Sequence, residues 1–428
     1  MLNLEYKNGE QYIEGLSISQ LADRHETPFY CYSATKVQTQ FRMFKDAFSN
    51  LDALVCYAVK VNSNQAILTL LADEGAGADV VSIGEIKRAL AANIPANKIV
   101  FSGVAKTKEE MVFALQQNIL CFNVESKPEL DQLASVAFQL KITANISFRI
   151  NPNVDANTHK KISTGKKGDK FGVDIDQAVS LYQYAQSLSF INIVGIDMHI
   201  GSQISDMNAF DLAIVKIKKL YEQLNLLNIK IQHIDFGGGL AVQYQRNDKT
   251  ESDLLIEYAR VINKHAIDLD CKIIFEPGRF IMGNAGVLVT KVIVKKYQHN
   301  KVFLIVDAGM NDLIRPTLYD AYHVISPANY SNEMESVDVV GPVCETGDYL
   351  AQDRTMQKVE QGELIIIHST GAYCAVTSNS YNSRPIIKEV LVKNNCDYVI
   401  RKEQTVESLI ALDCVPVFLN YLKYDSET

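Results

Sequence analysis

The sequence lacks the cysteine and histidine spacings that mark disulfide frameworks and metal centres. Its 428 residues include eight cysteines without a C-x-x-C pair and eight histidines without an H-x-H or H-E-x-x-H pattern. Several of the cysteines lie inside apolar runs, where a reduced thiol behaves as a small hydrophobic side chain. We therefore expect neither a disulfide framework nor a zinc site, and no other metal centre.

Long hydrophobic runs and an excess of positive charge are absent as well. No apolar run approaches the roughly 20 residues of a membrane-spanning helix. The first residues, MLNLEYKNGE, have neither the basic start nor the apolar stretch of a secretion signal. The formal net charge of −8 offers no electrostatic attraction to nucleic acids or anionic membranes. These absences predict a cytoplasmic protein whose partners are small molecules or other proteins, with no nucleic acid and no membrane among them.

What the sequence does contain is an alternation of short apolar runs with longer helical patterns. Hydrophobic residues make up 47% of the chain, enough for a large core spread over roughly two or three domains. Hydroxyl residues three positions before a glutamate, as at Ser82, Thr107 and Ser126, predict helix starts between the runs. The strand-like runs span residues 54–60, 77–83, 98–103, 120–125, 142–151, 193–202, 233–239 and 272–279. This order predicts a (β/α)8 TIM barrel, with an open, doubly wound parallel sheet as the alternative.

Beyond residue 285 the helical patterns become short and strand-like runs dominate. Runs such as GVLVTKVIVKKY and GELIIIHST are separated by turns, which predicts a β-rich domain of barrel or sandwich type. The first thirty residues are too few to fold alone and are expected to add strands to that domain. The predicted division is a barrel over residues 30–282 and a β domain formed by residues 1–29 and 283–428.

Several of the predicted barrel strands end in residues that can carry chemistry. A lysine at one strand end is ordinary, because water begins there. The active site of such a barrel lies at the carboxyl ends of its strands, so a whole set of these residues favours one shared site. The set comprises Lys60 after the first strand, Asp79 in the second, Arg149 in the fifth, His199 and Ser202 after the sixth, Gly237, Gly238 and Gly239 after the seventh, and Glu276, Gly278 and Arg279 after the eighth.

Three of these features together indicate pyridoxal 5'-phosphate. Consecutive glycines at a strand end let backbone N–H groups approach a phosphate closely, although a tight turn is the alternative. The amine of Lys60 can form an imine with an aldehyde, and the carboxylate of Glu276 can keep a pyridine nitrogen protonated, so that the ring withdraws electrons. His199 can lie flat against such a ring, and a buried core histidine is an equal alternative.

The motifs YAVKVN, HIGSQ, GGG, EPGR, CETGD and GAY, in this order, resemble those of the barrel-type, fold-type III pyridoxal phosphate-dependent decarboxylases. The whole chain resembles this family, and most closely its diaminopimelate decarboxylases. The resemblance implies a cofactor bound covalently to Lys60, stacked on His199 and paired through its ring nitrogen with Glu276. Asp79 and Arg149 match positions that line the family's pocket. The cofactor-binding residues implied in this way are Lys60, Asp79, His199, Ser202, Gly237, Gly238, Gly239, Glu276, Gly278, Arg279 and Tyr373.

The same resemblance implies a homodimer with shared active sites, in which the CETGD segment of one subunit completes the site of the other. Cys344 would then return a proton to the carbon that has lost carbon dioxide, which makes Lys60, His199 and Cys344 the implied catalytic residues. Tyr373, in GAY, is implied to reach both cofactor and substrate. Composition alone favours a buried hydrophobic role for Cys344 and an ordinary aromatic of the β domain for Tyr373.

The charged residues near the predicted site favour a substrate with an amino-acid group at each end. Alanine racemases resemble the same architecture but place an arginine against the pyridine nitrogen, so Glu276 favours decarboxylation. Arg279, and Arg315 with Tyr319, can bind a distal carboxylate, whereas guanidinium groups would repel a bare distal ammonium. Glu345 can pair with the distal ammonium. The predicted reaction converts meso-2,6-diaminopimelate to L-lysine and carbon dioxide.

Alternatives remain open from the sequence. Arg315 and Tyr319 flank Pro316 and could form a surface pair. A related decarboxylase acting on carboxynorspermidine, arginine or ornithine would differ in the arginines and Glu345. A non-catalytic, cofactor-binding regulatory protein would be expected to lack Lys60 or Cys344. The polar, glycine-bearing segment 157–172 is hypothesised to cover the site.

Overall fold

Eight parallel strands form a closed barrel in the part of the chain that the computed structural model describes, which is residues 4–155, 165, 168–245 and 249–420. The eighth barrel strand pairs with the first, with Ile274 opposite Leu54, and the fourth pairs with the fifth, with Phe122 opposite Ile146. The (β/α)8 prediction is confirmed, and the alternative of an open sheet is wrong, because an open sheet leaves its outer strands unpaired. The barrel strands are Ala53–Ala58, Gly77–Val80, Ile99–Phe101, Cys121–Val124, Ala144–Asn151, Ile191–Asp197, His233–Asp235 and Lys272–Phe275, and the short strand Val173–Asp174 adds to the fifth.

Helices separate these strands, and some begin where the sequence predicts. Thr107 and Glu110 form a capping box in which each satisfies an N–H group of the other. Ser82 accepts the expected bond from the N–H of Glu85, but Glu85 accepts from Val81, one residue before the cap. The helices of this part are Ala34–Asp46, Gln65–Asp73, Ile83–Ala91, Lys108–Gln117, Lys127–Leu140, Ile175–Gln186, Met207–Leu226, Glu251–Ala266 and Arg279–Met282.

An aromatic cluster fixes the segment that follows the eighth strand. The rings of Phe48 and Phe275 stack with centroids 4.2 Å apart, and those of Phe44 and Phe280 lie 5.7 Å apart. All four side chains are buried, and burying a side chain of this kind contributes about 1.5–3 kcal/mol. Because Phe275 and Phe280 bracket residues 276–279, this packing holds the EPGR motif at the barrel rim.

The rest of the chain is rich in strands, as predicted. Phe29–Ser33, from the N-terminal region, lies between Gly286–Gln298 and Lys388–Lys393 in a second, nine-stranded sheet. The predicted boundaries at residues 30 and 282 stay a prediction. The other strands of this sheet are Lys301–Val306, Ile325–Pro327, Met334–Val340, Tyr349–Gln357, Leu364–Ile367 and Cys396–Arg401. A small third sheet contains Glu5–Lys7, Glu10–Ile13 and Leu16–Ser17. The helices outside the barrel are Ile18–His25, Arg315–Tyr319, Val406–Ile410 and Val417–Asn420.

The barrel and the second sheet meet beside the carboxyl end of the first barrel strand. The N–H of Tyr373 donates to the carbonyl of Val61 at 2.9 Å, and the side-chain amide of Asn62 donates to the carbonyl of Gly371 at 3.4 Å. Position 371 admits only glycine, because a Cβ there would lie 1.9 Å from the carbonyl oxygen of Met282. Backbone contact therefore brings the GAY motif next to the turn that carries the predicted catalytic lysine.

Two further predictions concern membrane-spanning helices and the segment 157–172. Among the described residues, no helix is both long enough and apolar enough to cross a membrane. Residues 157–164 and 166–167, most of the segment hypothesised to cover the site, lie outside the described residues.

Candidate active site

Lys60 stands in a short turn, Val59–Val61, directly after the first barrel strand. Its ammonium forms an ion pair with the carboxylate of Asp79 on the second strand. The Lys60 side chain is 34% exposed and Asp79 is fully buried, so the amine is reachable from the rim while its partner is not. Burial alone would lower the pKa of Lys60, but the carboxylates of Asp79 and Glu276 outweigh it and raise that pKa above its usual value. The carboxylate of Asp79 therefore holds Lys60 in its ammonium form.

The three glycines pack so tightly against neighbouring strand ends that side chains cannot be accommodated. A Cβ on Gly238 would lie 2.3 Å from the carbonyl oxygen of Glu276, and one on Gly239 would lie 2.5 Å from that of Gly201. Gly237 and Gly239 have φ angles of +65° and +104°, in the region that favours glycine. This packing brings the glycine backbone to the rim, and the phosphate cradle expected there stays a prediction.

We expect Gly238→Ala to destabilise the protein by about 1–3 kcal/mol or more, the usual penalty for adding a methyl group to a packed site. The clash is with backbone at Glu276, so affinity for pyridoxal phosphate should fall as well. Chemical denaturation and a spectroscopic titration with the cofactor measure the two effects. Gly84→Ala is the matched control, because the nearest atom to its new Cβ is a serine hydroxyl at 3.6 Å. Equal behaviour of the two variants would contradict this account of the glycine run.

His199 follows the sixth strand, and its ring is fixed by the glycine turn. Its Nδ1 accepts a hydrogen bond from the N–H of Gly238 at 3.2 Å, which places the ring proton on Nε2. Burial, and then the positive charges of Arg149 and Lys60, lower the pKa of His199 well below its usual value. The ring is partly exposed at the rim, where it presents a neutral aromatic surface.

Glu276 is buried behind Lys60 among other acids. Asn123 donates to its Oε1 at 3.4 Å, and Asn123 is itself oriented by the hydroxyls of Ser102 and Ser147. Burial, followed by the charges of Asp235 and Asp79, raises the pKa of Glu276 well above its usual range. A positive charge placed next to this carboxyl group would stabilise its ionised form.

Arg279 is 6% exposed, and each of its donor nitrogens contacts a neutral oxygen. Nε and Nη2 donate to the hydroxyl of Ser202 at 3.2 and 3.0 Å, and Nη1 donates to the hydroxyl of Tyr244 at 2.6 Å. The guanidinium also lies 4.8 Å from the ring centre of Tyr373. No carboxylate of the described residues pairs with Arg279. Ser202, Arg279 and Tyr373 are therefore brought together as predicted, around a positive charge that is left for an anion.

Arg315 lies near Arg279, with its guanidinium 5.7 Å from the ring centres of both Tyr244 and Tyr319. It is 7% exposed, which contradicts the surface-pair alternative, and its Nε has no hydrogen-bond partner among the described residues. Both arginines and Tyr319 line a cavity of about 170 Å³. A ligand carboxylate is the group that two buried guanidiniums without carboxylate partners bind best.

Cys344 and Glu345 stand apart from this cluster. Both side chains are exposed, so the buried-hydrophobe alternative for Cys344 is contradicted, and within the described residues neither contacts Lys60 or the arginines. Their loop is nevertheless well fixed, because Asp348 accepts the N–H groups of Val343 at 2.7 Å and Met310 at 2.6 Å. These bonds fix the CETGD segment at the surface of the chain.

Several residues of the site were missed from the sequence. Arg149 does lie near it, pairing with Glu125 at 3.4 Å, but Glu125 itself was not singled out. Glu85 was interpreted only as a helix cap, yet burial, together with nearby Asp79, raises its pKa to about 7. The remaining omissions are Asn123, Asp197, Gln203, Asp235 and Tyr244. A usable signal existed for the two aspartates, which are acids inside otherwise apolar strands, two residues before His199 and Gly237.

Comparison with known proteins gives the family context of this site. Residues 34–283 match the model of the pyridoxal-dependent decarboxylase family, pyridoxal binding domain. Diaminopimelate decarboxylase of Aquifex aeolicus is 46% identical over 95% of this chain and 96% of its own length, and that of Pseudomonas fluorescens is 44% identical over 95% and 97%. The crystal structure of Helicobacter pylori diaminopimelate decarboxylase complexed with L-lysine superimposes with a TM-score of 0.89 at 44% identity, covering 92% of this chain and 98% of that one.

Proposed function

We propose, because this chain belongs to the diaminopimelate decarboxylase family, that it converts meso-2,6-diaminopimelate to L-lysine and carbon dioxide, the last step of lysine biosynthesis. The observation that carries the choice of substrate is the pair of buried arginines. Arg279 and Arg315 line one cavity and have no carboxylate partner among the described residues. A substrate that keeps a carboxylate at its far end satisfies both charges.

The residues at the rim fit pyridoxal phosphate. A reachable amine, a partly exposed neutral imidazole and a buried carboxyl lie beside a glycine turn. We assign Lys60 to the aldehyde, His199 to the ring face, Glu276 to the ring nitrogen, and Ser202, Gly239 and Gly278 to the phosphate. Bound pyridoxal phosphate supplies an electron sink for the pair of electrons left on the α-carbon when carbon dioxide departs.

The side chains of this protein would position the amine, the substrate and the imidazole. Asp79 pairs with the ammonium of Lys60 and holds it at the rim, and the amine acts as a nucleophile once it has lost a proton. Arg279 and Arg315 bind the distal carboxylate, and Tyr319 and Tyr373 supply aromatic walls beside those two guanidiniums. The tightly packed glycine turn keeps His199 fixed and neutral.

The site is proposed to be completed by a second copy of the chain, in a homodimer. Cys344 would donate a proton to the α-carbon, and Glu345 would pair with the distal ammonium. What supports this is that both side chains are exposed, on a loop held rigidly by Asp348, and make no contact with this chain's own Lys60 within the described residues. A cytoplasmic location is also proposed, supported by eight free thiols, which persist in a reducing compartment.

We expect purified protein to release carbon dioxide from meso-diaminopimelate at least about 10²-fold faster than from ornithine, judged by kcat/KM, because ornithine leaves both arginines unpaired. Arg315→Met should remove most of this preference by raising KM for diaminopimelate. The measurement is a panel of diaminopimelate, ornithine, arginine and carboxynorspermidine, with and without added pyridoxal phosphate. Arg42→Met, on an exposed helix face, is the control. Equal rates on diaminopimelate and ornithine would remove the substrate assignment.

A further inference from the structure

Tyr244 lines the cavity that contains both arginines, and no role in binding or catalysis has yet been given to it. Its hydroxyl accepts the 2.6 Å hydrogen bond from Nη1 of Arg279. Its ring centre lies 5.7 Å from the guanidinium of Arg315. One side chain therefore contacts both positive groups, the first through an oxygen lone pair and the second through an aromatic face.

The backbone that carries Tyr244 is fixed by hydrogen bonds from two sides. Gln203 donates to the carbonyl of Val242 at 2.6 Å and accepts from the N–H of Val242 at 3.2 Å. Asn284 donates to the carbonyl of Gln243 at 3.2 Å. These contacts connect the loop after the seventh strand to the sixth and eighth, so the tyrosine is placed by the barrel itself rather than by a free loop.

A neutral histidine, His323, packs against the ring of Tyr244. His323 is fully buried, and its ring meets that of Tyr244 edge to face, with centroids 5.4 Å apart. Burial, and then the charge of Arg315, lower the pKa of His323 to about 3, and its Nδ1 contacts the carbonyl of His368 at 2.9 Å. His323 therefore adds no charge to the cavity.

These neutral contacts address a specific physical problem. A buried guanidinium is costly unless its donors are satisfied, and a carboxylate partner from the protein would compete with any ligand for the charge. Hydroxyl oxygens accept from the donors of Arg279, and aromatic faces attract both guanidiniums; neither kind of contact cancels the net charge. Arg279 contacts two hydroxyls and one ring, and Arg315 contacts two rings.

We propose that Tyr244 is a positioning residue that keeps Arg279 and Arg315 buried and charged, with no carboxylate partner among the described residues, and that it thereby gives the cavity its selectivity for a ligand with a distal carboxylate. This inference rests on the proposed function for the identity of that ligand. It does not require Tyr244 to touch the reacting atoms. The hydroxyl acts on Arg279 and the ring acts on Arg315, so the two contributions can be separated by substitution.

Tyr244→Phe removes the hydroxyl and keeps the ring. We expect KM for diaminopimelate and the dissociation constant of L-lysine, measured by calorimetry, to rise about 10-fold, as for a lost hydrogen bond to a charged group, with kcat changed less than about 3-fold. Tyr244→Leu, which removes the ring as well, should weaken L-lysine binding further. Tyr182→Phe is the matched control, since it deletes a buried hydroxyl that does not line the arginine cavity and that donates to the carbonyl of Gly195 in the sixth strand at 2.8 Å, and it should leave both constants unchanged.

A second readout separates this proposal from the assignment of substrate. In 15N NMR spectra of the side-chain nitrogens, Tyr244→Phe should shift the Nη signals of Arg279, whereas Tyr182→Phe should not. If the wild-type protein releases no carbon dioxide from diaminopimelate, the proposed function fails, and the Arg279 signals still decide the role of Tyr244. Unchanged Arg279 signals, or wild-type affinity for L-lysine in an active Tyr244→Phe enzyme, would overturn the proposal.

Discussion

Replacing Lys60 by alanine should lower the rate of diaminopimelate decarboxylation by at least about 10³-fold, within the range for losing one essential acid–base or nucleophilic group. The physical reason is that Lys60 presents a reachable amine at the rim, since its side chain is 34% exposed while its partner Asp79, which holds it in place, is fully buried. The absorbance of bound cofactor should be lost in parallel. Steady-state kinetics and an absorbance spectrum of the purified variant measure both effects.

Lys60→Ala also leaves the buried carboxylate of Asp79 without its counter-ion, which can destabilise the fold, so a control for folding is needed. Lys60→Ala combined with Asp79→Asn removes both charges and should recover stability without recovering turnover. Unfolding curves of the single and double variants separate the two effects. Turnover in the single variant within about 10-fold of wild type would exclude Lys60 as the cofactor's amine.

Replacing Cys344 by alanine should slow turnover by about 10²–10⁴-fold, the usual contribution of a positioned proton donor, even though Cys344 lies on the surface of its own subunit. The cause would lie in the neighbouring subunit, whose site Cys344 is proposed to complete. A heterodimer of one Lys60→Ala subunit and one Cys344→Ala subunit then contains one intact site, so it should regain about half of the wild-type activity.

The heterodimer can be isolated by placing a different affinity tag on each variant and co-expressing the two. A heterodimer of wild-type and Lys60→Ala subunits gives the activity expected of one intact site. If each site were built from a single chain, both sites of the mixed heterodimer would be defective. Activity no higher than that of the parent variants would therefore contradict shared sites.

The sequence was sufficient for the barrel because period, capping and composition agree along its length. Short apolar runs, helical patterns and capping residues such as Thr107 all indicate the same alternation, and the closed sheet confirms it. The strand Phe29–Ser33 shows the limit of such patterns. Its place between two strands from near residues 290 and 390 depends on contacts far apart in the chain, which local periodicity does not encode.

Some residues of the candidate site could likewise be predicted from the sequence, and others could not. Lys60, His199 and the glycines stand at strand ends, where the barrel geometry brings them together, and so they could be named from their order in the chain. Tyr244 could not, because it lies in a loop and its role depends on two arginines that come from different parts of the chain. The relation of Cys344 to the site was indicated by resemblance, and its exposure within one chain leaves that relation to experiment.

The residue that binds pyridoxal phosphate can be identified chemically. Sodium borohydride reduces the link between a lysine and the cofactor, and peptide mass spectrometry then locates the added group. Lys106 provides an internal comparison, because it is another lysine buried in the barrel, with its ammonium 2.7 Å from Glu129. We expect one pyridoxyl group per chain, on Lys60. A group on Lys106 or on any other lysine, or no group at all, would contradict the assignment of Lys60 as the cofactor's lysine.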